Sequence, residues 1–309
     1  MSTSGRAQGA YRRRFEQDGL TVDASGRADD GVLDAFYPAY DAAFVLPNEK
    51  ETLDGFRDCL ALNRGPGHAR LARQFGAYQE VVCVVRDGGT GPVLGGANFL
   101  LLHDLDGRPG APSQPSLNLN YLFVDRAVRG RGLSRTVLRA CLRICADEAG
   151  SALAPLCFLE LNDPFRLTPE AYRLDSEHAG IDQLARLGYW AGLHAAVLDW
   201  VYVQPALSAD QADDHTLAYA LLDPRRPSLP ARLLLAHLER FFAISVLKGA
   251  APVDSPSAQR QLQALRAMAD RGEAVALLPL APALGQLPAL LRGDGPRPAR
   301  LADALKETG

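Results

Sequence analysis

Leu122-Phe123-Val124-Asp125-Arg126-Ala127-Val128-Arg129-Gly130-Arg131-Gly132-Leu133-Ser134 runs from an apolar strand end, through a turn with two glycines, into a helix start. Such a turn suits an anion. The first peptide N–H groups of a helix lack internal partners, and glycine lets a phosphate approach the backbone with no Cβ in the way. Arg129 and Arg131 add positive charge. There is no Gly-Lys-Ser/Thr of a P-loop and no GxGxxG after a first strand, so ATP and dinucleotide sites are not indicated.

Working outward, Leu133, Val137, Cys141, Ile144 and Cys145 line one face of the helix that follows, whereas Arg135, Arg139 and Arg143 line another and read as solvated. That helix is expected to pack on a sheet. Upstream, residues 80–86, 93–103 and 117–124 are β-rich, with a Gly/Pro-rich loop over 104–115 and a bulge expected at Gly95-Gly96. Before them, helical spacing covers Val32 to Phe44, with Pro38 as a kink, and 52–62, where Arg64-Gly65-Pro66-Gly67 acts as a breaker. Residues 1–30 read as a mobile arm with at most a short helix near 11–17.

Downstream come a strand over 156–161, a helix opened by Pro169, a segment 180–188, and strands over 195–203 and 217–222. Beyond residue 226 the pattern is mainly helical, with long amphipathic stretches at 231–247 and 258–269; residues 274–280 could instead add a strand to a second binding unit. The expected organisation is an arm over 1–30, a core domain over 31–225 and a C-terminal, mainly helical extension over 226–309.

Composition narrows the function. The 309 residues are 47% hydrophobic and 22% charged, which suits a soluble globular chain. A net charge of −3 offers no broad positive field, so nucleic acid is not an expected partner. Five cysteines without a CxxC pair read as reduced core thiols, and six scattered histidines have no metal-ligand spacing, so no metal is expected. Met1 to Ala10 lacks an apolar signal core, and no window approaches the ~18 apolar residues of a membrane helix; a cytoplasmic protein without membrane contact is expected.

The motif resembles the acyl-CoA signature of the GNAT superfamily of N-acetyltransferases, Arg/Gln-x-x-Gly-x-Gly/Ala after an apolar strand. Arg129, Gly132 and Ser134 fall on its three positions, with Ser134 in place of the usual Gly or Ala. The order of elements from about 30 to 223 is similar as well. The resemblance implies an α/β fold with a mixed, mostly antiparallel central sheet flanked by helices, and acetyl-CoA or another acyl-CoA as co-substrate. It further implies a cofactor site formed by Leu122, Phe123, Val124, Arg129, Gly130, Arg131, Gly132, Leu133, Ser134 and Asn162. The strands splay near 122–124, and the Val124 N–H would polarise the thioester carbonyl.

Attack on a thioester needs a neutral amine, whereas a lysine-type amine titrates near ~10.4, so a base is required. Alternation along 156–162 puts Glu160 and Asn162 at the carboxyl end of one strand face, which makes Glu160 the first candidate base. An ion-paired strand-end carboxylate is its structural alternative, and Asn162 can equally shape the turn before Pro164. His178 is the second candidate, against a solvated loop histidine. Many relatives carry a Tyr four residues before a Gly-aromatic step to protonate the leaving thiolate; aligned on Gly188-Tyr189, that position is Leu184. Tyr189, Tyr172, water or free thiolate departure are left for that role. Residues 163–179 read as an insertion that either walls the acceptor pocket, through Phe165 and Tyr172, or covers the sheet. Two functions follow: an N-acetyltransferase acting on a small-molecule, amino-acid or peptide amine, or a silent acyl-CoA-binding module whose C-terminal helices engage a partner or form a homodimer.

Overall fold

The computed structural model describes residues 11–44, 46, 50–108, 110–251, 254–293 and 297–308. The described residues open with a hairpin, β1 (Arg12–Gln17) and β2 (Leu20–Ser25), where the sequence reading allows a short helix. Its first strand, Arg-Arg-Arg-Phe-Glu-Gln, has too little apolar alternation to announce itself. What docks it is the arginine face expected to be solvated: Arg139 bonds Asp18 at 2.5 Å, and Arg143 donates to the Glu16 carbonyl at 3.0 Å while lying 4.5 Å over the Phe15 ring. The first ten residues, where the rest of the expected arm falls, lie outside the described ones.

Next come α1 (Val32–Ala43), with Pro38 inside it, and α2 (Leu53–Ala61), whose Thr52 cap accepts from the Gly55 N–H at 2.9 Å. The expected breaker then starts a further helix, α3 (Gly65–Phe75), because proline is tolerated in a first turn where its missing N–H is not needed. β3 (Tyr78–Arg86), β4 (Val93–Leu102) and β5 (Ser116–Val124) follow as an antiparallel meander, and the β3/β4 register shift falls at Val85/Arg86, beside Gly95. After α4 (Leu133–Ala149) come β6 (Leu156–Asn162), α5 (Pro169–Ala179), α6 (Gln183–Ala191), the short β7 (Ala196–Leu198) and β8 (Leu217–Leu222). His194, with φ 57°, makes the turn into β7.

The segment after 226 does more than add helices. β9 (Ser228–Pro230) leads into α7 (Ala231–Phe241), which continues through one wide π turn, Phe242–Val246; then follow α8 (Pro256–Asp270), β10 (Ala274–Pro279), α9 (Leu287–Arg292) and α10 (Leu301–Thr308). β10 pairs with β7, so one ten-stranded sheet, in the order β1-β2-β3-β4-β5-β6-β8-β7-β10-β9, crosses the expected boundary at 226. Every pairing is antiparallel except β5 with β6. One face packs against α4, α6 and α10, the other against α1, α2, α3, α7 and α8. All five cysteines are buried and free, as expected. No helix among the described residues is long and apolar enough to cross a membrane.

Gly96 shows how tightly the meander is built. A Cβ there would lie 2.6 Å from the Cys83 carbonyl and 3.0 Å from the Phe123 ring. Backbone cannot give way cheaply, so Gly96→Ala should lower stability by about 1–3 kcal/mol, read as a fall in denaturant midpoint. An unchanged midpoint would show that this approach is looser than described.

Candidate functional site

The site arises where the one parallel pairing stops. β5 and β6 pair only over Ser116–Leu119 with Leu156–Leu159. Beyond that, β5 stays on β4 as far as Val124 opposite Gly95, and β6 stays on β8 as far as Asn162 opposite Leu217. The two facing strand edges therefore keep backbone groups that the sheet does not use. A register shift between Asn98 and Phe99 leaves Asn120 as the extra residue of β5. A cavity of about 480 Å³ opens between the diverging ends, within the range of small-molecule sites.

At its outer end lies the glycine turn. Gly130 and Gly132 have φ of 77° and 76°, and Gly132 caps α4 without any side-chain hydrogen bond. The first N–H groups of α4 thus point outward unclaimed by a cap. Arg129, Gly130, Gly132, Leu133 and Ser134 line the cavity, as do Leu122, Phe123, Val124, Glu160 and Asn162; Arg131 is exposed and does not. Arg129 donates to the Val124 carbonyl at 3.2 Å and to the Ala179 carbonyl. Burial, and then the charges of Arg126 and Arg186, hold its guanidinium below its ordinary pKa. Three like charges converge here; Arg186 is paired with the cavity-lining Asp175 at 2.8 Å, and an anion would relieve the repulsion that is left. Arg186, on α6, carried no sequence signal, since only the fold brings it to a turn more than fifty positions earlier.

At the inner end stands Glu160. Its carboxylate accepts from the Tyr202 hydroxyl and, at 2.9 Å, from the Gln204 amide nitrogen. Among the described residues it makes no salt bridge, so the ion-paired alternative is not the one observed. Burial pushes it up to about 8; the Tyr202 hydrogen bond opposes this and the Asp214 charge adds to it. Glu80, on β3, is fully buried where Glu160 is half-buried, and is pushed up to about 7, against the hydrogen bonds from Ser245 and Asn98. Both carboxyls hold their proton more tightly folded than unfolded, where they titrate near ~4.3. Their stabilisation is therefore fully present below about pH 4 and lost as pH rises through 7 and 8. Unfolding free energy should fall by an amount on the order of 3 to 5 kcal/mol per carboxyl across that window, and Glu160→Gln should flatten its upper part. A wild-type stability curve flat from pH 5 to about 9 would contradict these burials.

The other candidates separate. Asn162 lines the cavity and its Nδ2 is buried without a partner, as expected of a group awaiting a ligand. His178 does not line it; its Nε2 lies 3.1 Å from the Ala42 carbonyl, tying α5 to the end of α1. Tyr189 lines the cavity beside Ser134, whereas Tyr172 bonds Asp182 at 2.7 Å outside it and Leu184 packs against the core. From the expected insertion, Asp175 and Ala179 reach the cavity, but Phe165 is core and Asp163 holds backbone, accepting from the nearby Phe165 N–H at 3.0 Å and from the distant Leu301 N–H at the start of α10 at 2.8 Å.

Residues 43–164 match the model of the acetyltransferase (GNAT) family. The chain carries a GNAT-family domain. The match spans the end of α1 through β6, and so includes the glycine turn, both diverging strands and Glu160. Solved structures similar to this chain include a GNAT-family protein from Bacteroides thetaiotaomicron, at 13% identity and TM-score 0.41 over 70% of this chain and 90% of that one. Another is the ribosomal-protein-S5-alanine acetyltransferase from Vibrio fischeri, at 12% identity, TM-score 0.33 and coverage of 70% and 100%. A third is Arabidopsis thaliana NAA60 in complex with acetyl-CoA, at 9% identity, TM-score 0.32 and coverage of 65% and 98%. The search of curated proteins found no match to this chain.

Proposed function

We propose that the protein is an N-acyltransferase that moves the acetyl group of acetyl-CoA to a primary amine of a small molecule, amino acid or peptide, by direct attack in a ternary complex. One observation carries the reading: a glycine-opened helix start and a half-buried, raised carboxyl sit at opposite ends of a single cavity between two diverging strands. The diphosphate would rest on the α4 N-terminus with Arg129 and Arg186 nearby. The pantetheine amides would pair with the free edges of β5 and β6, as a further strand pairs with a sheet edge. Val124 N–H would face the thioester oxygen as charge develops there.

Glu160 acts on the acceptor. In its ionised form it takes a proton from the ammonium, and the neutral amine then attacks the carbonyl carbon. The tetrahedral adduct collapses by breaking the C–S bond, and the thiolate takes up a proton to leave as CoA thiol. Tyr189 is the cavity-lining tyrosine where the family position holds Leu184. The domain expected over 31–225 would carry this site, with the segment from 226 on covering parts of both sheet faces, α10 on the α4 side and α7 and α8 on the other.

The test is calorimetric titration with acetyl-CoA, followed by thiol release across a panel of amines. Micromolar binding with release to at least one amine supports the proposal. Binding with no release from any amine overturns it in favour of a silent acyl-CoA-binding module, the reading that Leu184 motivates.

A further inference from the structure

Behind Glu160 lies a second, smaller cavity of about 20 Å³, enough for one water. It is lined by Glu80 as well as Glu160, and Asn120, Tyr121 and Gln204 line both it and the main cleft. Glu80 is held firmly: Oε1 accepts from Asn98 at 2.7 Å and from Asn120 at 3.0 Å, and Oε2 accepts from Ser245 at 2.7 Å. Ser245 belongs to the π turn after α7, a wide turn of the kind often found at functional sites. The third carboxylate on this cavity, Glu51, is neutralised by Lys248 at 2.7 Å, which leaves Glu80 and Glu160 as the carboxyls here without a cation among the described residues.

Resting on the acyltransfer proposed above, we infer that Glu80 is a second proton acceptor of the reaction, reached from Glu160 through a single water in the small cavity. The stoichiometry gives it a task. An ammonium nitrogen that becomes an amide nitrogen loses two protons, one before attack and one as the adduct collapses, and the thiolate takes back only one. Glu160 receives the first from the ammonium. The water accepts that proton from Glu160 while giving one of its own to the Glu80 carboxylate, so Glu160 is ionised again and takes the second, which it delivers toward the departing thiolate. After product release Glu80 returns its proton to solvent by the same route. No redox partner is needed, and Glu80 acts through Glu160 without touching the substrate.

The groups facing the pair are few. Glu51, Lys248, Cys59 and Tyr78 face Glu80; Tyr202, Tyr219, Tyr121 and Asp214 face Glu160. Burial raises all of these tyrosines and Cys59, so they stay protonated while the two carboxyls titrate.

The test follows both carboxyls by NMR of the full chain labelled at the glutamate carboxyl carbons, with CoA bound. Coupled sites share their inflections, so the wild-type Glu160 curve should show two steps and Glu80→Gln should leave one, at lower pH. With the amine giving fastest thiol release, kcat should fall about tenfold in Glu80→Gln while KM for acetyl-CoA stays within about twofold. The acid limb of log kcat/KM should lose one unit of slope. Ser245→Ala, which removes a donor to Glu80, should move the lower inflection to higher pH and serves if Glu80→Gln does not fold. A Glu160 curve and a slope identical in wild type and variant overturn the inference while leaving the acyltransfer intact; absence of thiol release from every amine overturns the acyltransfer itself.

Discussion

Gly132→Glu should weaken CoA binding by about 100-fold or more, measured by calorimetry. Two effects are distinct. At φ 76° the position is left-handed, where an ordinary side chain costs about 1–2 kcal/mol of folding stability, in the free and bound protein alike. The new carboxylate would also stand at the helix start proposed for the diphosphate, where like charges about 4 Å apart at an effective dielectric near 20 cost about 4 kcal/mol. Gly132→Asn separates them, since asparagine tolerates this conformation and is neutral; its affinity should stay within about tenfold of wild type. If glutamate and asparagine variants bind CoA alike, the anion does not sit on this turn. Added salt should partly restore the glutamate variant and leave the asparagine variant unchanged, because only the former suffers a screened repulsion.

Glu160→Gln should lower kcat by about 10²- to 10⁴-fold with little change in acetyl-CoA affinity. The amide keeps the shape and can still accept from Tyr202, yet cannot take a proton at neutral pH. The sign of the pH effect follows from burial: with its carboxyl raised to about 8, wild-type kcat/KM should climb as pH rises through that value. The variant should lose that inflection. A variant that keeps the rate and the inflection would remove Glu160 from the reaction, whatever CoA does. The pair of variants thus tests the two ends of one cavity separately, affinity at the glycine turn and rate at the carboxyl.

Much of the core was legible in the residues. Apolar runs and a helix with a single apolar stripe predict β3 to β6 and α4; each strand lies within a residue or two of its expected bounds, and α4 begins at the expected Leu133. The glycine turn was legible because its chemistry is local: strand end, two left-handed glycines and helix start are all contiguous. Elsewhere local signals misled. Arg64-Gly65-Pro66-Gly67 reads as a stop, but proline also starts helices, and α3 begins there. The polar strand β1 gave no apolar alternation, and its place is set by partners on α4 more than a hundred positions away.

Glu160 was picked out by sequence, but its environment was not. Alternation places it on a strand face at the right end; only the fold supplies the Tyr202 and Gln204 hydrogen bonds and the burial that raises it against them. Glu80 drew no notice, because a single charge opening an apolar run is commonly a solvated strand end. Its hydrogen-bond partners come from β4, β5 and the turn after α7, which no window along the chain contains together. His178, chosen for its place in the sequence, is drawn instead to the end of α1.

By itself, then, the order of residues determined the turn that receives an anion, the strands beside it and the helix behind it, since each depends on dihedral preference and periodicity over a dozen neighbours. Tertiary structure alone decided that β5 and β6 part after Leu119 and Leu159, that Arg186 joins Arg129, and that Glu80 and Glu160 share one small cavity. Divergence, convergence of charge and burial are properties of distances between elements, and those distances exist only once the sheet has closed around its core.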